Sequence, residues 1–464
     1  MKKVFNLTEG SILKKLLLVA LPVLLTAISQ MAYNLTDMFW IGRVDQIGLI
    51  ESDAVTAVGT VSYMLWLSFG FILISKIGTS VKISHSVGKN RIDDIDTYAT
   101  NGILMQFFLG LFVSATILIF KEEFLAIFNL DNQNIVNYAL MYAPIVGGFI
   151  FFQFLNNGFA SINEGLGQTK INLIILAIGF ILNIIMDPLF ILVFRMGIQG
   201  AAIATVISQF VTLIIFIIVY KTHNPSIKIF NLKNFNLKAM KQIARIGFPT
   251  FVHSILFTGI SIYIGVMIVK FGDAILGAQR IGSQVEQLTW MIGGGFQAAI
   301  TVFVGQNIAA NQLERVKKGI IYISAILIPY SVLVTALLYF KAEWLMRIFM
   351  DDPEAVAHGA KYIRIISLSQ IFMMIEAVGT GLFYGLGKSA VPSANGIIGN
   401  VIRIPLAIIL SATLLETGIW WAINISSIFK GTVMLIATIY IISRLEKIKL
   451  RNLTKSSEEE VVYG

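Results

Sequence analysis

The pentapeptide GLGQT, residues 165–169, separates two long apolar runs, and the pentapeptide GLGKS, residues 385–389, separates two more about 220 residues later. Other landmarks repeat in the same order at a similar shift: Ala20-Leu21-Pro22 with Gly247-Phe248-Pro249, Asp53-Ala54 with Asp273-Ala274, Ile127-Phe128 with Ile348-Phe349, and Gly197-Ile198 with Gly418-Ile419. Matched landmarks in one order indicate an internal duplication. The sequence therefore predicts two homologous halves.

The composition places both halves in a lipid bilayer. The chain is 56% hydrophobic and 13% charged, whereas soluble domains are roughly 45–50% apolar and about 25% charged. Apolar runs of roughly 20 residues or more are candidate membrane spans. They lie at 13–41, 54–82, 95–119, 134–163, 170–194, 199–220, 241–270, 274–309, 316–340, 355–386, 390–414 and 419–443. The first run is too long for a signal-peptide core, so we expect it to remain as a span.

The predicted fold class is an all-α polytopic membrane protein with twelve transmembrane helices in two six-helix lobes. Six spans per repeat give both halves the same orientation, so the expected pseudo-two-fold axis lies along the membrane normal. The predicted domains are an N-lobe at 1–220, a cytoplasmic linker at 221–240, a C-lobe at 241–443 and a cytoplasmic tail at 444–464. With the N-terminus inside, 23 Lys and Arg fall in inside segments against 6 outside, which predicts that both termini are cytoplasmic.

Several classes of protein are disfavoured. The net charge of +9 comes from residues between helices and in the tail, so it indicates membrane topology rather than a nucleic-acid partner. The sequence has no cysteine, no GxxxxGK[ST] phosphate loop and no HExxH, and its four histidines are scattered. We therefore expect no cofactor, no structural metal, no enzymatic activity and no ATP-driven pumping by this chain alone.

Two carboxylates in the N-lobe spans need an explanation, because a charge at bilayer depth costs a few kcal/mol. Asp37 shares a helical face with Gln30 and Asn34, and Tyr33 lies one turn before it. Asp187 follows Asn183 by one turn and precedes Pro188. Proline frees the carbonyl one turn earlier, so we expect the helix to bend or loosen there.

We interpret Asp37 and Asp187 as facing a polar chamber where they load and release a cation. The expected hydrogen-bonding neighbours are Asn34, Asn183, Tyr142 and Thr205. A simpler interpretation also stays open. In it, Asp37 caps a helix end near the outer lipid headgroups, and Asp187-Pro188 only marks the end of a helix.

The C-lobe has a different charge pattern, because the position equivalent to Asp187 in the second repeat falls in the basic Arg403–Pro405 region. Other charged residues at depth are His253, Arg280, Glu286, Glu376 and Lys430. For Glu286 and Glu376 an ion or substrate role competes with structural pairing to a cation of another helix. The candidate substrate-cavity residues are Gln30, Met31, Tyr33, Asn156, Asn157, Arg280, Gln284, Glu286 and Glu376. We expect the lobes to be unequal, with ion coupling in the N-lobe.

Three stretches resemble the multidrug and toxic compound extrusion (MATE) family of the multidrug/oligosaccharidyl-lipid/polysaccharide exporter superfamily. They are Tyr33-Asn34-Leu35-Thr36-Asp37-Met38-Phe39-Trp40-Ile41-Gly42, then Gly277-Ala278-Gln279-Arg280-Ile281, and then Gly295-Phe296-Gln297-Ala298-Ala299 with Val304-Gly305-Gln306-Asn307. The two GLG turns also match the family's pattern. The likeness spans about residues 10–443.

The resemblance implies a V-shaped pair of lobes that export organic cations or other amphipathic compounds by alternating access, in exchange for H+ or Na+. The DinF-like branch has an acidic cation site that matches Asp37 and Asp187, with Asn183, Tyr142 and Thr205 as its neighbours. The seventh span lacks the Glu usual in the Na+-coupled branch, although the Asp pair could itself hold Na+. We expect a monomer in the plasma (inner) membrane of a prokaryote, in contact with lipid.

Two alternatives remain from the sequence. A lipid-linked precursor flippase of the same superfamily would need a strongly cationic cavity, which Arg280, Arg403 and Lys430 leave open. A membrane-embedded enzyme acting on lipid is disfavoured because no catalytic constellation stands out.

Overall fold

The computed structural model of the chain describes residues 6–128, 132–223, 232–349 and 352–462, and within these ranges the secondary structure is helical, without strands. The fifteen α-helices are α1 Ile12–Ile41, α2 Glu51–Gly88, α3 Ile92–Ala126, α4 Gln133–Gly148, α5 Phe151–Gly165, α6 Thr169–Pro188, α7 Gly197–His223, α8 Leu237–Val269, α9 Asp273–Ala309, α10 Leu313–Phe340, α11 Ala342–Arg347, α12 Pro353–Ser367, α13 Gln370–Gly385, α14 Ala390–Leu414 and α15 Glu416–Val462. Short 3₁₀ helices lie at Val44–Ile47 and Leu232–Asn234.

The helices agree with the predicted membrane spans. In the described ranges ten helices are long and apolar enough to cross a bilayer, and two further bent pairs raise the number to twelve. Large apolar side chains point outward along them; Leu333 is 71% exposed and Phe340 is 76% exposed. Such surfaces belong in lipid, where the backbone polar groups are satisfied within each helix. The predicted all-α, polytopic fold class is confirmed.

Two predicted spans, 134–163 and 355–386, are broken rather than continuous. The α4–α5 pair bends by 42° and the α12–α13 pair by 49°. At each break a hydroxyl from a neighbouring helix donates to a backbone carbonyl. Ser114 of α3 donates to the carbonyl of Gly148 at 2.5 Å, and Thr335 of α10 donates to the carbonyl of Ser367 at 3.1 Å. The duplication thus extends to the breaks and to the hydroxyls that satisfy them.

Contacts divide the described chain into two compact units that do not follow chain order. The N-terminal unit contains Leu21–Phe251, whereas the C-terminal unit contains Leu7–Ala20 and the described residues from Val252 onward. The change of unit therefore falls inside α1, beside Pro22, and inside α8, beside Pro249. Of the predicted linker at 221–240, residues 224–231 lie outside the described residues, as do residues 1–5 and 463–464.

In the N-terminal unit, the opening turns of α8 pack tightly against α2. A Cβ on Gly247 would lie 1.9 Å from the carbonyl oxygen of Ile74, and a Cβ on Gly78 would lie 2.2 Å from the carbonyl oxygen of Ile243. Each glycine therefore contacts the backbone of the other helix. On each helix the glycine lies one turn from the isoleucine that the other glycine contacts. Small residues of this kind let membrane helices approach closely.

The chain just before α8 is also held by this unit. Asn101 of α3 donates to the carbonyl of Asn234 at 2.8 Å and accepts from the backbone N–H of Asn236 at 2.9 Å. Gln242 accepts from Lys82 at 2.7 Å and from the Tyr98 hydroxyl at 2.6 Å. These bonds fix the path by which the chain enters α8.

The C-terminal unit holds the chain before α1 in a corresponding way. We call residues 7–11 the N-terminal strap. The backbone N–H of Leu7 donates to Gln306 at 3.0 Å, and Leu7 is fully buried. Arg315 donates to the carbonyls of Leu7 at 3.0 Å and Gly10 at 2.9 Å, and its Nε donates to Asn307 at 3.1 Å. Arg315 is thus the main anchor of the strap.

Replacing Arg315 by alanine should loosen the strap without altering the rest of the unit. Three charge-assisted hydrogen bonds are lost at a half-exposed site, so we expect a cost of about 1–2 kcal/mol. The measurement is the midpoint of thermal unfolding in detergent, together with the rate of proteolysis within the strap. Lys318→Ala, which removes an exposed charge from the same helix, should leave both unchanged; equal values for the two variants would contradict the assigned role.

Candidate functional site

The two predicted carboxylates lie in the interior of the N-terminal unit. Asp37, on α1, is 9% exposed, and Asp187, at the end of α6, is fully buried. Oδ1 of Asp37 and both carboxylate oxygens of Asp187 have no partner at good hydrogen-bond geometry among the described residues, although the Asn183 amide one turn earlier acts on the Asp187 carboxylate. A buried carboxylate without a donor or counter-ion is unfavourable as an anion. A proton or a small cation would remove that cost, so the pair is suited to binding one reversibly.

Polar side chains from four further positions converge on this pair. Asn183 donates to the Thr205 hydroxyl at 3.5 Å. The Tyr33 and Tyr142 phenols interact with the same hydroxyl and with the charges of both carboxylates. We define the N-unit polar cluster as six residues: Tyr33 and Asp37 of α1, Tyr142 of α4, Asn183 and Asp187 of α6, and Thr205 of α7. The structure thus brings together five of the six residues predicted for cation binding, and adds Tyr33.

The helix changes its hydrogen-bonding pattern directly beside Asp187. The α-helix α6 ends at Pro188, and residues Leu189–Val193 form a π-helix. Proline has no N–H to donate, so the regular ladder is interrupted there. Single π-helical turns in other proteins are frequent at functional sites. The predicted loosening of this helix is confirmed, and the π-helix begins two residues after the buried carboxylate.

The sixth predicted cation-binding residue, Asn34, lies outside the cluster. Asn34 and Gln30 are exposed, while Tyr33 stacks on Phe180 with ring centroids 5.3 Å apart. Asn34 precedes Asp37 by three residues and Tyr33 precedes it by four, so both lie near Asp37 on the helix surface, one on each side of it. Packing on α6 turns the Tyr33 side inward, so Asn34 points away. Met31 is half-buried on the same helix.

The predicted cavity residues Asn156 and Asn157 are engaged in packing between helices. Asn156 donates to the Gln209 carbonyl of α7 at 2.9 Å. Asn157 accepts from Lys76 of α2 at 3.2 Å, and Lys76 also pairs with Glu164 at 3.7 Å. Lys76 did not stand out in the sequence. The seven-residue spacing of Asn157 and Glu164, which puts both on one helical face, is the signal that could have indicated a shared partner.

The C-terminal unit holds Glu286 within hydrogen-bond reach of three neutral donors. Its carboxylate accepts from Trp290 at 3.2 Å, from Tyr362 at 3.2 Å and from Gln370 at 3.4 Å. Trp290 lies one turn along the same helix and was detectable by spacing. Tyr362 and Gln370 belong to α12 and α13, on either side of the break, and no local pattern connects them with Glu286.

The remaining C-terminal candidates include the buried Arg403 and Lys430, the half-buried His253 and Glu376, and two exposed residues. Lys430 pairs with Glu376 at 3.6 Å, so for Glu376 the structure shows the predicted pairing across helices. Arg403 donates through Nε to Ser426 at 3.0 Å. His253 lies 3.4 Å from the Asn400 amide. Arg280 and Gln284 are exposed on α9.

The described residues contain no group of three or more His, Cys, Asp or Glu side chains arranged to hold a metal ion. The N-unit polar cluster offers carboxylate, amide and hydroxyl oxygens instead. Oxygen ligands of this kind suit hard cations such as Na+, and carboxylates also accept protons. The chemistry available at the cluster is therefore reversible binding of H+ or a small hard cation.

Comparison with known proteins gives consistent matches along the chain. The MatE family model matches residues 22–189 and 249–409. The "Probable multidrug resistance protein NorM" of Thermotoga maritima is 27% identical over 437 residues, which cover 91% of each chain. The "Probable multidrug resistance protein YpnP" of Bacillus subtilis is 25% identical over 433 residues, which cover 92% of this chain and 95% of the relative.

Among solved structures, the "Crystal structure of MATE in the bent conformation" matches with a TM-score of 0.88 at 21% identity, covering 97% of this chain and 99% of the other. At this identity the likeness concerns the fold, and it agrees with the helices described above. The matched segments of the family model cover well over half of the sequence and include both halves of the repeat. The chain belongs to the MatE family.

Proposed function

We propose that this protein is a secondary-active exporter of amphipathic organic compounds, cations among them, driven by inward flow of H+ or Na+. The observation that carries the proposal is the pair Asp37 and Asp187, buried in one unit with three unpartnered carboxylate oxygens. The names of the relatives, which are multidrug resistance proteins, support a role in drug export. We infer a transporter rather than an enzyme, in the plasma membrane of a prokaryote and with both termini in the cytoplasm.

Coupling follows from the cost of an unpaired buried charge. When the carboxylates are empty, the cluster carries negative charge that attracts a cationic substrate; when they hold H+ or Na+, that attraction is lost. Two ligands that weaken each other's binding in this way are linked by a coupling free energy, typically about 1–3 kcal/mol. The π-helix at Leu189–Val193 and the inward-facing Tyr33 give the cluster neighbours that can adjust as the charge changes.

The flippase alternative needs a strongly cationic interior, and the C-terminal unit argues against one. Lys430 is paired with Glu376, and Glu286 contributes a further negative charge to the same unit. Arg280 is exposed. Two half-buried acidic residues, Glu286 and Glu376, therefore balance the two buried basic residues Arg403 and Lys430, which favours transport of amphipaths over recognition of a polyanionic headgroup.

The test is transport of a fluorescent cationic dye in proteoliposomes that contain the purified protein. A pH gradient and a Na+ gradient are imposed in separate experiments, with an ionophore that dissipates each gradient as the control. We expect dye movement driven by at least one gradient and lost with its ionophore. Dye movement that is the same with and without both gradients would refute secondary-active coupling, and the gradient that drives transport identifies the ion.

A further inference from the structure

The buried face of α6 is polar, while its exposed face is apolar. The buried residues of this helix are Thr169, Asn172, Ile175, Gly179, Asn183 and Asp187. Its exposed large side chains are Ile174, Ile178, Ile181 and Ile185. Polar residues inside a membrane span are costly, and they usually mark a pathway or a binding site. The N-unit polar cluster accounts for Asn183 and Asp187, so the polar face extends beyond it.

Helix α7 turns a row of hydroxyl groups toward this face. Thr205, Ser208 and Thr212 are buried and lie three and four residues apart, which places them on one helical face. We call these three residues the hydroxyl row. Thr205 accepts from Asn183, and a Cβ on Gly179 would lie 2.1 Å from Oγ1 of Thr212. The row therefore follows α6 from the N-unit polar cluster toward the start of that helix, the cytoplasmic end in the proposed topology.

Polar atoms along the row lack partners in the described part of the chain. A helical Ser or Thr hydroxyl can bond the carbonyl one turn earlier, as Thr212 bonds that of Ser208 at 2.7 Å. Oγ of Ser208 makes no such bond, although Ser208 is only 5% exposed. Asn156 of α5 donates to the carbonyl of the next residue, Gln209, while its own Oδ1 is unpartnered. Such atoms are costly unless water or an ion reaches them.

An aromatic cluster interrupts the polar face beyond Thr212. The Phe159 ring of α5 stacks on Phe216 of α7 with centroids 5.8 Å apart, and it meets Tyr220 edge-on at 6.0 Å. Polar groups resume on the far side. The buried Tyr220 hydroxyl has no hydrogen-bond partner among the described residues, and the charge of Asp96, buried on α3, acts on it. Apolar constrictions of this kind close a pathway by excluding water.

We propose that the cation bound at the N-unit polar cluster reaches the cytoplasm along the α6–α7 interface. The hydroxyl row and the water that it binds form the path, and the aromatic cluster of Phe159, Phe216 and Tyr220 is the barrier. Protons travel along hydrogen-bonded water, and Na+ takes the same hydroxyl and amide oxygens as ligands. The proposal rests on the proposed export function and gives its coupling ion an exit inside the N-terminal unit.

The test uses Ag+, a small monovalent cation that reacts with thiolates. The sequence has no cysteine, so each variant carries a single thiol. Ser208→Cys and Thr212→Cys place it in the row. Ile214→Cys, the control, places it on the 38% exposed outer side of α7. The control lies nearer the proposed cytoplasmic end, so depth alone would favour its reaction.

The measurement is the rate at which Ag+, in chloride-free buffer, removes the thiol in membrane vesicles, read as loss of maleimide labelling after denaturation. We expect the row cysteines to react roughly tenfold faster than the control or more, because thiolates form in water and not in lipid. The rate should be higher in inside-out than in right-side-out vesicles. Lys238→Cys, exposed at the start of α8, reports the sidedness of each preparation.

A second variant locates the barrier. Adding Phe216→Leu to Ser208→Cys removes one ring of the aromatic cluster, so the rate of reaction with Ag+ should rise several-fold in inside-out vesicles. Adding Phe210→Leu instead, which changes an exposed ring of the same helix, should leave the rate unchanged. Equal rates for these two double variants would contradict the role of the aromatic cluster.

The proposal is overturned if both row cysteines react no faster than Ile214→Cys, or if they react faster in right-side-out vesicles. Failure of the export function gives a different result. In that case Ag+ still reaches the row from the cytoplasmic side, while neither gradient moves dye in proteoliposomes.

Discussion

Replacing Asp187 by asparagine will reduce gradient-driven dye transport to the level of protein-free vesicles. Asparagine has the size of aspartate but cannot take up a proton or offer an anionic oxygen to Na+, so the cation is no longer bound. Asp37→Asn should have the same effect, because the two carboxylates act on each other within one cluster. The measurement is the initial rate of dye movement in proteoliposomes under the active gradient.

Measuring the stability of the Asp37 and Asp187 variants distinguishes loss of ion coupling from loss of folding. Both carboxylates are buried with unpartnered oxygens, so a neutral side chain of the same shape removes an unfavourable charge. We expect normal yield and a thermal midpoint equal to or above that of the unaltered protein. Asp45→Asn, the same change at an exposed position after α1, should leave transport intact. Full gradient-driven transport by the Asp37 and Asp187 variants would refute the coupling mechanism.

Replacing Gly247 by alanine is expected to prevent stable folding. The added carbon would lie 1.9 Å from the Ile74 carbonyl oxygen and 2.5 Å from its carbon. These are backbone atoms of α2 and cannot rotate away, so the two helices must separate. Overpacking of a rigid contact costs roughly 1–3 kcal/mol and occasionally more. We expect the upper end of this range, measured as loss of monodisperse protein in detergent or a much lower thermal midpoint.

The matched control lies on the same helix. A Cβ on Gly259 would have no neighbouring atom within 4 Å, so Gly259→Ala adds a carbon without a clash. Alanine is also the better helix former, by about 1 kcal/mol. This variant should be as stable as the unaltered protein or slightly more stable. Equal stability of the two alanine variants would mean that α2 and α8 are not as close as the structure indicates.

Hydropathy predicted a helix well where the helix coincides with one uninterrupted apolar run. For example, α14 has the predicted bounds of 390–414. It did not predict the breaks near Gly148 and Ser367, because a bent span and a straight one have the same average composition. It placed the start of α8 at residue 241, whereas the helix begins at Leu237. The first turn is capped by Asn236, whose side-chain oxygen accepts from the backbone N–H groups of Lys238 and Ala239, and hydropathy does not register such a cap.

The candidate site was predictable in so far as its residues carry charge inside an apolar span. Asp37 and Asp187 stand out for that reason alone. The choice between Asn34 and Tyr33 was not predictable, because both lie beside Asp37 on the helix and only the stacking on Phe180 decides which faces inward. The neighbours of Glu286 and Arg403 come from other helices, so their pairing depends on tertiary structure that no spacing rule contains.

The exchange of segments at Pro22 and Pro249 gives the duplicated chain the connectivity of a domain-swapped dimer. In this chain Leu7–Ala20 completes the C-terminal unit, and the first part of α8, up to Phe251, completes the N-terminal unit. In a half-length chain of the same design, the first segment would likewise complete the unit of a partner chain. Two fragments cut between the halves would therefore each lack a segment of their own unit, and obligate dimers often have no stable folded monomer. Fusion of two such chains into one keeps the exchanged segments and fixes the ratio of the two halves at one to one.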